Sequence, residues 1–401
     1  MRAPAMPAPP PPGPPLAAAV TRLGSESAFE VLARAEALKR RGRDVINLGI
    51  GQPDFPTAPH VIEAAIKAHR DGHHGYTPAN GILPLREAVA ADLETRLGAK
   101  VDPDCVVIVP GGKMTMFFAV LMLGEPGTEI VYPDPGFPIY ESLIRFVGAK
   151  PVPMVLREAN GFSFDADEVL ALITPATRLL ILNSPANPTG GAVPKAEMDR
   201  LVAGLDRHPR VAILSDEIYG RIVYGGRPHA SLLAYPQIRE RLILLDGWSK
   251  TYAMTGWRLG FGVWPQAWIE TVTRLAVNSH SCVNAPAQWA GIAALRGSQD
   301  SVQAMVRAFD ERRRAIVAAL NQIPGVRCAE PGGAFYVFPN ITGTGLSSRA
   351  LQDRLLEEAA VATISGTAFG NAGEGFLRLS YAANLSRIAE AMDRFRKLLS
   401  A

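Results

Sequence analysis

Lys250 and Arg258 stand eight residues apart in the run Ser249-Lys250-Thr251-Tyr252-Ala253-Met254-Thr255-Gly256-Trp257-Arg258. The run follows an apolar stretch, Leu242 to Leu245, that reads as a buried strand. A lysine just past such a strand sits at the rim of a sheet, where open α/β folds bind ligands. An amine in a partly dry pocket can lose its proton and attack a carbonyl. A guanidinium can hold a phosphate with two hydrogen bonds. Together the two side chains suit an aldehyde that carries a phosphate. Either one alone would read as a surface cation or half of an ion pair, so the surroundings decide.

Other apolar runs end in residues suited to the same ligand. Val106 to Val109 leads into Pro110-Gly111-Gly112-Lys113 and a helix from about Met114. Glycines at a helix start let backbone N–H groups approach an anion, and the helix dipole adds attraction. The same pair also makes an ordinary turn. Glu129 to Tyr132 leads into Asp134-Pro135-Gly136-Phe137-Pro138-Ile139-Tyr140. Phe137 can stack on a ring or simply pin its loop. Leu179 to Leu182 is followed by Asn183-Ser184-Pro185-Ala186-Asn187-Pro188-Thr189-Gly190. This is turn chemistry, and the Asn187 amide can donate to a ring hydroxyl or a substrate carboxylate. Val211 to Leu214 runs into Ser215-Asp216-Glu217-Ile218-Tyr219. A carboxylate buried at a strand end needs a cation, and a protonated ring nitrogen supplies one. A helix N-cap is the alternative for Asp216. Tyr219 can donate to a ring oxygen from the following turn.

The elements that must position these residues alternate. Apolar runs at Val106 to Val109, Glu129 to Tyr132, Leu179 to Leu182, Val211 to Leu214, Leu242 to Leu245 and Leu259 to Val263 mostly leave room for crossover helices. That spacing predicts an α/β large domain with a mainly parallel, doubly covered sheet. The last two runs are too close for a full crossover, so one strand is expected antiparallel. After about residue 290 a long helix (Ser301 to Leu320), the segment Gly332-Gly333-Ala334-Phe335-Tyr336-Val337-Phe338, a helix (Ser348 to Ala360), a strand (Phe376 to Tyr381) and a closing helix (Leu385 to Leu399) predict a smaller α+β domain. A first helix from about Glu26 to Lys39, followed by a short strand at Val45, joins that domain and makes it discontinuous. The expected division is a Pro/Ala-rich disordered tail at 1–24, a large domain at 58–290, and a small domain at 25–57 and 291–401.

At 401 residues the chain can bury two cores. A net charge of +3, with basic residues scattered, points to neither nucleic acid nor a membrane surface as partner. No apolar run approaches a membrane span. Cys105, Cys282 and Cys328 are far apart and odd in number, which fits a reducing, cytoplasmic compartment and gives no metal-ligand spacing. His73-His74 has no further ligands at helical spacing. Gly49-x-Gly51 lacks the third glycine of a dinucleotide fingerprint.

Four of these segments, in this order, resemble the fold-type I pyridoxal-phosphate enzymes, and within them the class I/II aminotransferases of the aspartate aminotransferase kind. They are Asn187-Pro188-Thr189-Gly190, Ser215 through Tyr219, Ser249-Lys250 through Arg258, and Phe376-Leu377-Arg378-Leu379-Ser380-Tyr381. The resemblance covers about residue 26 to the C-terminus and implies pyridoxal 5'-phosphate as cofactor. It implies that Lys250 carries the cofactor as a Schiff base and then moves a proton, and that Asp216 pairs with the ring nitrogen. Phe137 would stack on the ring, and Asn187 and Tyr219 would bind the 3-oxygen. Gly112, Lys113 and Arg258 would hold the phosphate, and Arg378 the substrate α-carboxylate, helped by Asn187 and the backbone at Gly51. Some relatives carry a phosphate-binding hydroxyl three residues before the lysine, where this chain has Gly247; either Ser249 would substitute or other contacts would hold the phosphate. Tyr76, in Gly75-Tyr76-Thr77-Pro78-Ala79-Asn80-Gly81, matches a tyrosine that reaches the partner subunit's phosphate, which implies a homodimer with shared active sites.

The expected activity is ping-pong transamination between an L-amino acid and a 2-oxo acid, of aspartate, aromatic or alanine type. A carbon–sulfur β-lyase or a synthase on the same fold shares the early chemistry. A cofactor-sensing regulator would need a DNA-binding domain for which the short tail leaves no room. Met114, Met116, Phe117 and Phe118 permit an apolar substrate pocket.

Overall fold

Side chains of the central strands alternate between two buried faces, and this alternation is what sets a rigid rim under the functional residues. The computed structural model describes residues 14–25 and 27–400. The Pro-rich residues 1–13 and Glu26, the expected start of the first helix, lie outside them. In chain order the strands are β1 (Ile46–Asn47), β2 (Val106–Val109), β3 (Glu129–Asp134), β4 (Lys150–Val155), β5 (Thr177–Asn183), β6 (Ala212–Asp216), β7 (Leu242–Gly247), β8 (Gly260–Val263), β9 (Tyr336–Val337), β10 (Val361–Ala362), β11 (Ile364–Ser365) and β12 (Leu377–Ser380).

The main sheet has the order β2-β8-β7-β6-β5-β3-β4. Its pairs are parallel except at β8, which runs antiparallel to both β2 and β7. The expected antiparallel strand is therefore β8. Ile108, Leu180, Leu182, Ile213 and Leu244 pack into one core, and Val107, Leu179, Ile181, Leu214 and Ile243 into another on the opposite face. Period-two alternation with both faces apolar is the mark of a sheet covered twice. β4 is absent from the sequence reading because Pro151 and Pro153 interrupt its apolar pattern. It forms the sheet edge, where a missing backbone donor is tolerated.

A second core gathers Ile46 and Leu48 with Met305, Phe309, Ile316, Leu355, Leu379, Met392 and Phe395. Here β11-β12-β9 form an antiparallel sheet, and β1 pairs in parallel with β10, joining an early strand to the late part of the chain. The segment before the first helix (Ser27–Arg40) is tied to the main sheet's side: Arg22 donates from Nε to Arg145 O at 2.7 Å and from Nη2 to Phe146 O at 2.7 Å. Among the described residues no helix is long and apolar enough to cross a membrane.

Candidate active site

Strand register brings the expected residues to one edge. Asn183 at the end of β5 pairs with Asp216 at the end of β6, and Gly247 at the end of β7 faces Gly260, which also faces Val109 at the end of β2. Residues from all these ends line one cavity of about 370 Å³. Gly51, Gly112, Lys113, Phe137, Asn187, Asp216, Tyr219, Ser249, Lys250, Arg258 and Arg378 all border it. Tyr76 does not; it is 93% exposed in the single chain.

Lys250 sits in a short helical turn, Trp248–Thr251, begun by Gly247. Buried Trp248 pins that turn by donating from Nε1 to Gly291 O at 3.1 Å. The Lys250 ammonium donates to Gly51 O at 2.6 Å. Arg258 has left-handed backbone (φ 55°) and donates to Thr255 O at 2.8 Å. Its guanidinium lies against Gly111, where a Cβ would stand 2.1 Å from Nη2. Only a glycine allows that approach. It sets the guanidinium beside the start of the helix Lys113–Leu123, so a cation and a helix N-terminus share one anion cradle.

Asp216 is buried at the end of β6. Tyr140 donates its hydroxyl to Asp216 Oδ2 at 2.7 Å, and Ile218 N–H donates to Oδ1 at 3.3 Å. Burial pushes its carboxyl up to about 6 against those hydrogen bonds. The neighbouring Glu217 forms a separate network: Ser215, Ser231 and His229 all reach its carboxylate. Burial alone would raise Glu217, but His229 and the two serines outweigh it and hold it below the usual range. Tyr140 and the Ile218 amide, both uncharged, are the groups that reach the Asp216 carboxylate, and a ring cation is what its position suits.

Arg378, buried on β12, donates from Nη1 to Asn187 Oδ1 at 2.9 Å and from Nη2 to Gly49 O at 2.5 Å. Asn187 is itself placed through Asn183, whose Oδ1 accepts from Asn187 N–H at 2.9 Å and whose Nδ2 donates to Asp216 O at 2.9 Å. Phe137 stands edge-on to Tyr140, with Lys113 Nζ 5.2 Å from its ring centre. Tyr219 is buried, and its hydroxyl is 2.8 Å from that of Tyr336.

The structure adds lining residues absent from the sequence reading: Tyr140, Asn183, Tyr336, Phe369, and Ala28, Phe29 and Leu32 of the first helix. Tyr140 and Tyr336 lay inside segments already singled out, as aromatics next to chosen residues. Phe369 and the helix residues carried no local signal. Of the four apolar residues expected to shape the pocket, Met116 alone borders it. It shares a helix face with Lys113, three positions earlier, whereas Phe118 stacks on His280 and Phe117 on Phe146.

The sequence profile of the family "Aminotransferase class I and II" matches residues 43–395. The chain belongs to this family. It is 42% identical over 361 residues to an aspartate aminotransferase of Pyrococcus horikoshii, covering 89% of this chain and 91% of that one. It is 38% identical to aromatic-amino-acid aminotransferase 2 of Thermococcus litoralis, covering 88% and 92%. The crystal structure of the aspartate aminotransferase from Rhizobium meliloti superposes with a TM-score of 0.93 at 34% identity, covering 97% and 99%. The protein is thus an aminotransferase dependent on pyridoxal 5'-phosphate, with the α/β fold of that family. The cavity fits this cofactor. A buried carboxylate waits for a ring cation, an amine faces the same space, and Gly111 leaves room for a guanidinium at a helix start.

Proposed function

We propose that transamination runs on Lys250, with Asp216, Asn187, Tyr219, Phe137, Ser249, Arg258 and the backbone at Gly112 and Lys113 holding the cofactor, and Arg378 holding the substrate. The observation that carries this reading is the convergence of Lys250, Asp216 and Arg378 on one cavity. The bound cofactor supplies an electrophilic carbon and a ring that accepts the electrons released at the substrate Cα. With the cofactor bound, Lys250 Nζ would take the proton from the substrate Cα and return it to the cofactor carbon two bonds away, across the shared nitrogen. Asp216 stays ionised against the ring nitrogen. Arg378 presents N–H groups to the α-carboxylate, and the backbone at Gly51 borders the same cavity. Asn187, oriented by Arg378 through Oδ1, offers its amide N–H groups to the ring oxygen.

The substrate side chain would meet Lys113, held over Phe137, together with Met116, Ile50, Phe29 and Leu32, which border the same cavity. A cation beside apolar walls suits both a dicarboxylic and an aromatic amino acid. This agrees with the aspartate and aromatic names among its relatives. A panel of amino donors against 2-oxoglutarate and pyruvate tests it: aspartate, glutamate and phenylalanine are expected to lead, and alanine alone leading would contradict it. With amino acid and no oxo acid, the enzyme is expected to convert one equivalent to oxo acid and stop with pyridoxamine phosphate bound. Continued release of product without an acceptor would support a lyase instead.

The protein is also proposed to act as a cytoplasmic homodimer, with Tyr76 of each subunit reaching the other's phosphate cradle. The support is the 93% exposure of Tyr76 in one chain and the free thiols of Cys105, Cys282 and Cys328. Sedimentation of the soluble cell fraction is expected to place the activity at twice the chain mass of 42.9 kDa. Activity at the monomer mass would contradict shared sites.

A further inference from the structure

Tyr336 links parts of the site that the reaction uses at different steps. It is buried on β9 and borders the cavity. Its ring centre lies 4.8 Å from Arg378 Cζ, and Phe369 packs on the same guanidinium at 4.7 Å. Its hydroxyl lies 2.8 Å from the Tyr219 hydroxyl. A Cβ on Gly51 would stand 2.2 Å from the Tyr336 oxygen, so glycine there is what admits the hydroxyl. The Gly51 carbonyl in turn receives the Lys250 ammonium.

A phenol has one proton to give and an oxygen that can accept. When Tyr219 donates to a cofactor oxygen, its own oxygen is left as acceptor for Tyr336. The two donations then run in one direction and polarise each other. Resting on the proposed roles of Tyr219 and Arg378, we infer that Tyr336 is a positioning residue with two separable parts. Its hydroxyl donates to Tyr219 and strengthens the hydrogen bond from Tyr219 to the cofactor 3-oxygen. Its ring holds the Arg378 guanidinium flat for the substrate carboxylate. Burial, with Tyr336 beside it, holds the Tyr219 hydroxyl well above the usual tyrosine range, so Tyr219 keeps its proton to donate.

The test compares wild type, Tyr336→Phe and Tyr336→Leu, each loaded with pyridoxal 5'-phosphate. The readouts are the pH midpoint of the cofactor absorbance, the KM for 2-oxo acid, and the thermal midpoint of the unloaded protein. A weaker donor at the 3-oxygen leaves more charge there, and the nitrogen of Lys250 then holds its proton to higher pH. Tyr336→Phe is expected to raise the absorbance midpoint by roughly 0.3–1 pH unit while KM changes less than about twofold. Tyr336→Leu is expected to raise the midpoint as much and also to raise KM by roughly five- to thirtyfold, from loss of the cation–ring contact. An unmoved midpoint in Tyr336→Phe overturns the hydroxyl's part. Equal KM increases in the two variants overturn the ring's part. A lower thermal midpoint with neither change means that Tyr336 only fills space, and it overturns both. If wild type binds the cofactor but shows no titrating absorbance, the reading of Lys250 fails, which is a different result from any of these.

Discussion

Lys250→Ala is expected to lower the rate of transamination by about 10⁴-fold or more while leaving the protein folded. Two roles depend on one nitrogen: the covalent hold on the cofactor and the proton transfer at the substrate Cα. General acid–base catalysis alone accounts for about 10²- to 10⁴-fold, and losing the covalent route adds to it. Trp248, two residues earlier, anchors the turn through Gly291 and remains in the variant. Single-turnover absorbance after adding amino acid to the loaded protein measures the effect. Lys113, the other lysine at the cavity, serves as the control. Lys113→Ala is expected to change substrate preference and keep the half-reaction. A Lys250→Ala protein that still completes the half-reaction within tenfold of wild type would contradict the assignment.

Asp216→Asn is expected to move activity and stability in opposite directions. An amide cannot balance a ring cation, so the ring accepts electrons less well, and the rate should fall by roughly 10²- to 10³-fold. In the unloaded protein the sign reverses. Burial raises the Asp216 carboxyl from 3.8 to about 6. Its favourable contribution to folding is therefore fully present below pH 3.8 and is lost as pH rises through 6. The shift corresponds to roughly 3 kcal/mol. Urea unfolding of both proteins should show wild type losing about that much relative to Asp216→Asn between pH 4 and pH 7. Loading the cofactor should restore the wild type at pH 7, because an adjacent cation favours the ionised carboxylate. A difference between the two proteins that is flat with pH would contradict a buried carboxylate lacking its cation.

Much of the arrangement was legible because it is local. A buried parallel strand reads as a continuous apolar run, and its end is marked by where the run stops. The ends of these runs alone place Asp216, Asn187 and Lys250 at one rim. β4 was not legible, because Pro151 and Pro153 break the pattern that marks the other strands. Gly111 read as part of either a turn or an anion-binding helix start, and Gly51 as backbone beside the substrate, so neither showed why the position must be glycine. Their need is set by Arg258 and Tyr336, which approach from distant segments. Tyr140 was visible as the third residue after Phe137, but its bond to Asp216 joins positions 76 residues apart. Tyr336 stood in the segment Gly332 to Phe338 with no role attached, and its contact with Tyr219 spans 117 residues. Ala28, Phe29 and Leu32 border the cavity because of where the first helix lies, tied near its middle by Arg34 to Asp353 and Glu357. No pattern in one sequence encodes that placement.

The central claim is that the nitrogen of Lys250 carries the cofactor. Borohydride reduction of the loaded protein, followed by peptide mapping, tests it most directly. The expected result is one pyridoxyl group per chain, on the peptide that contains Ser249-Lys250-Thr251. A group on Lys113 or any other lysine, or no incorporation at all, would contradict it.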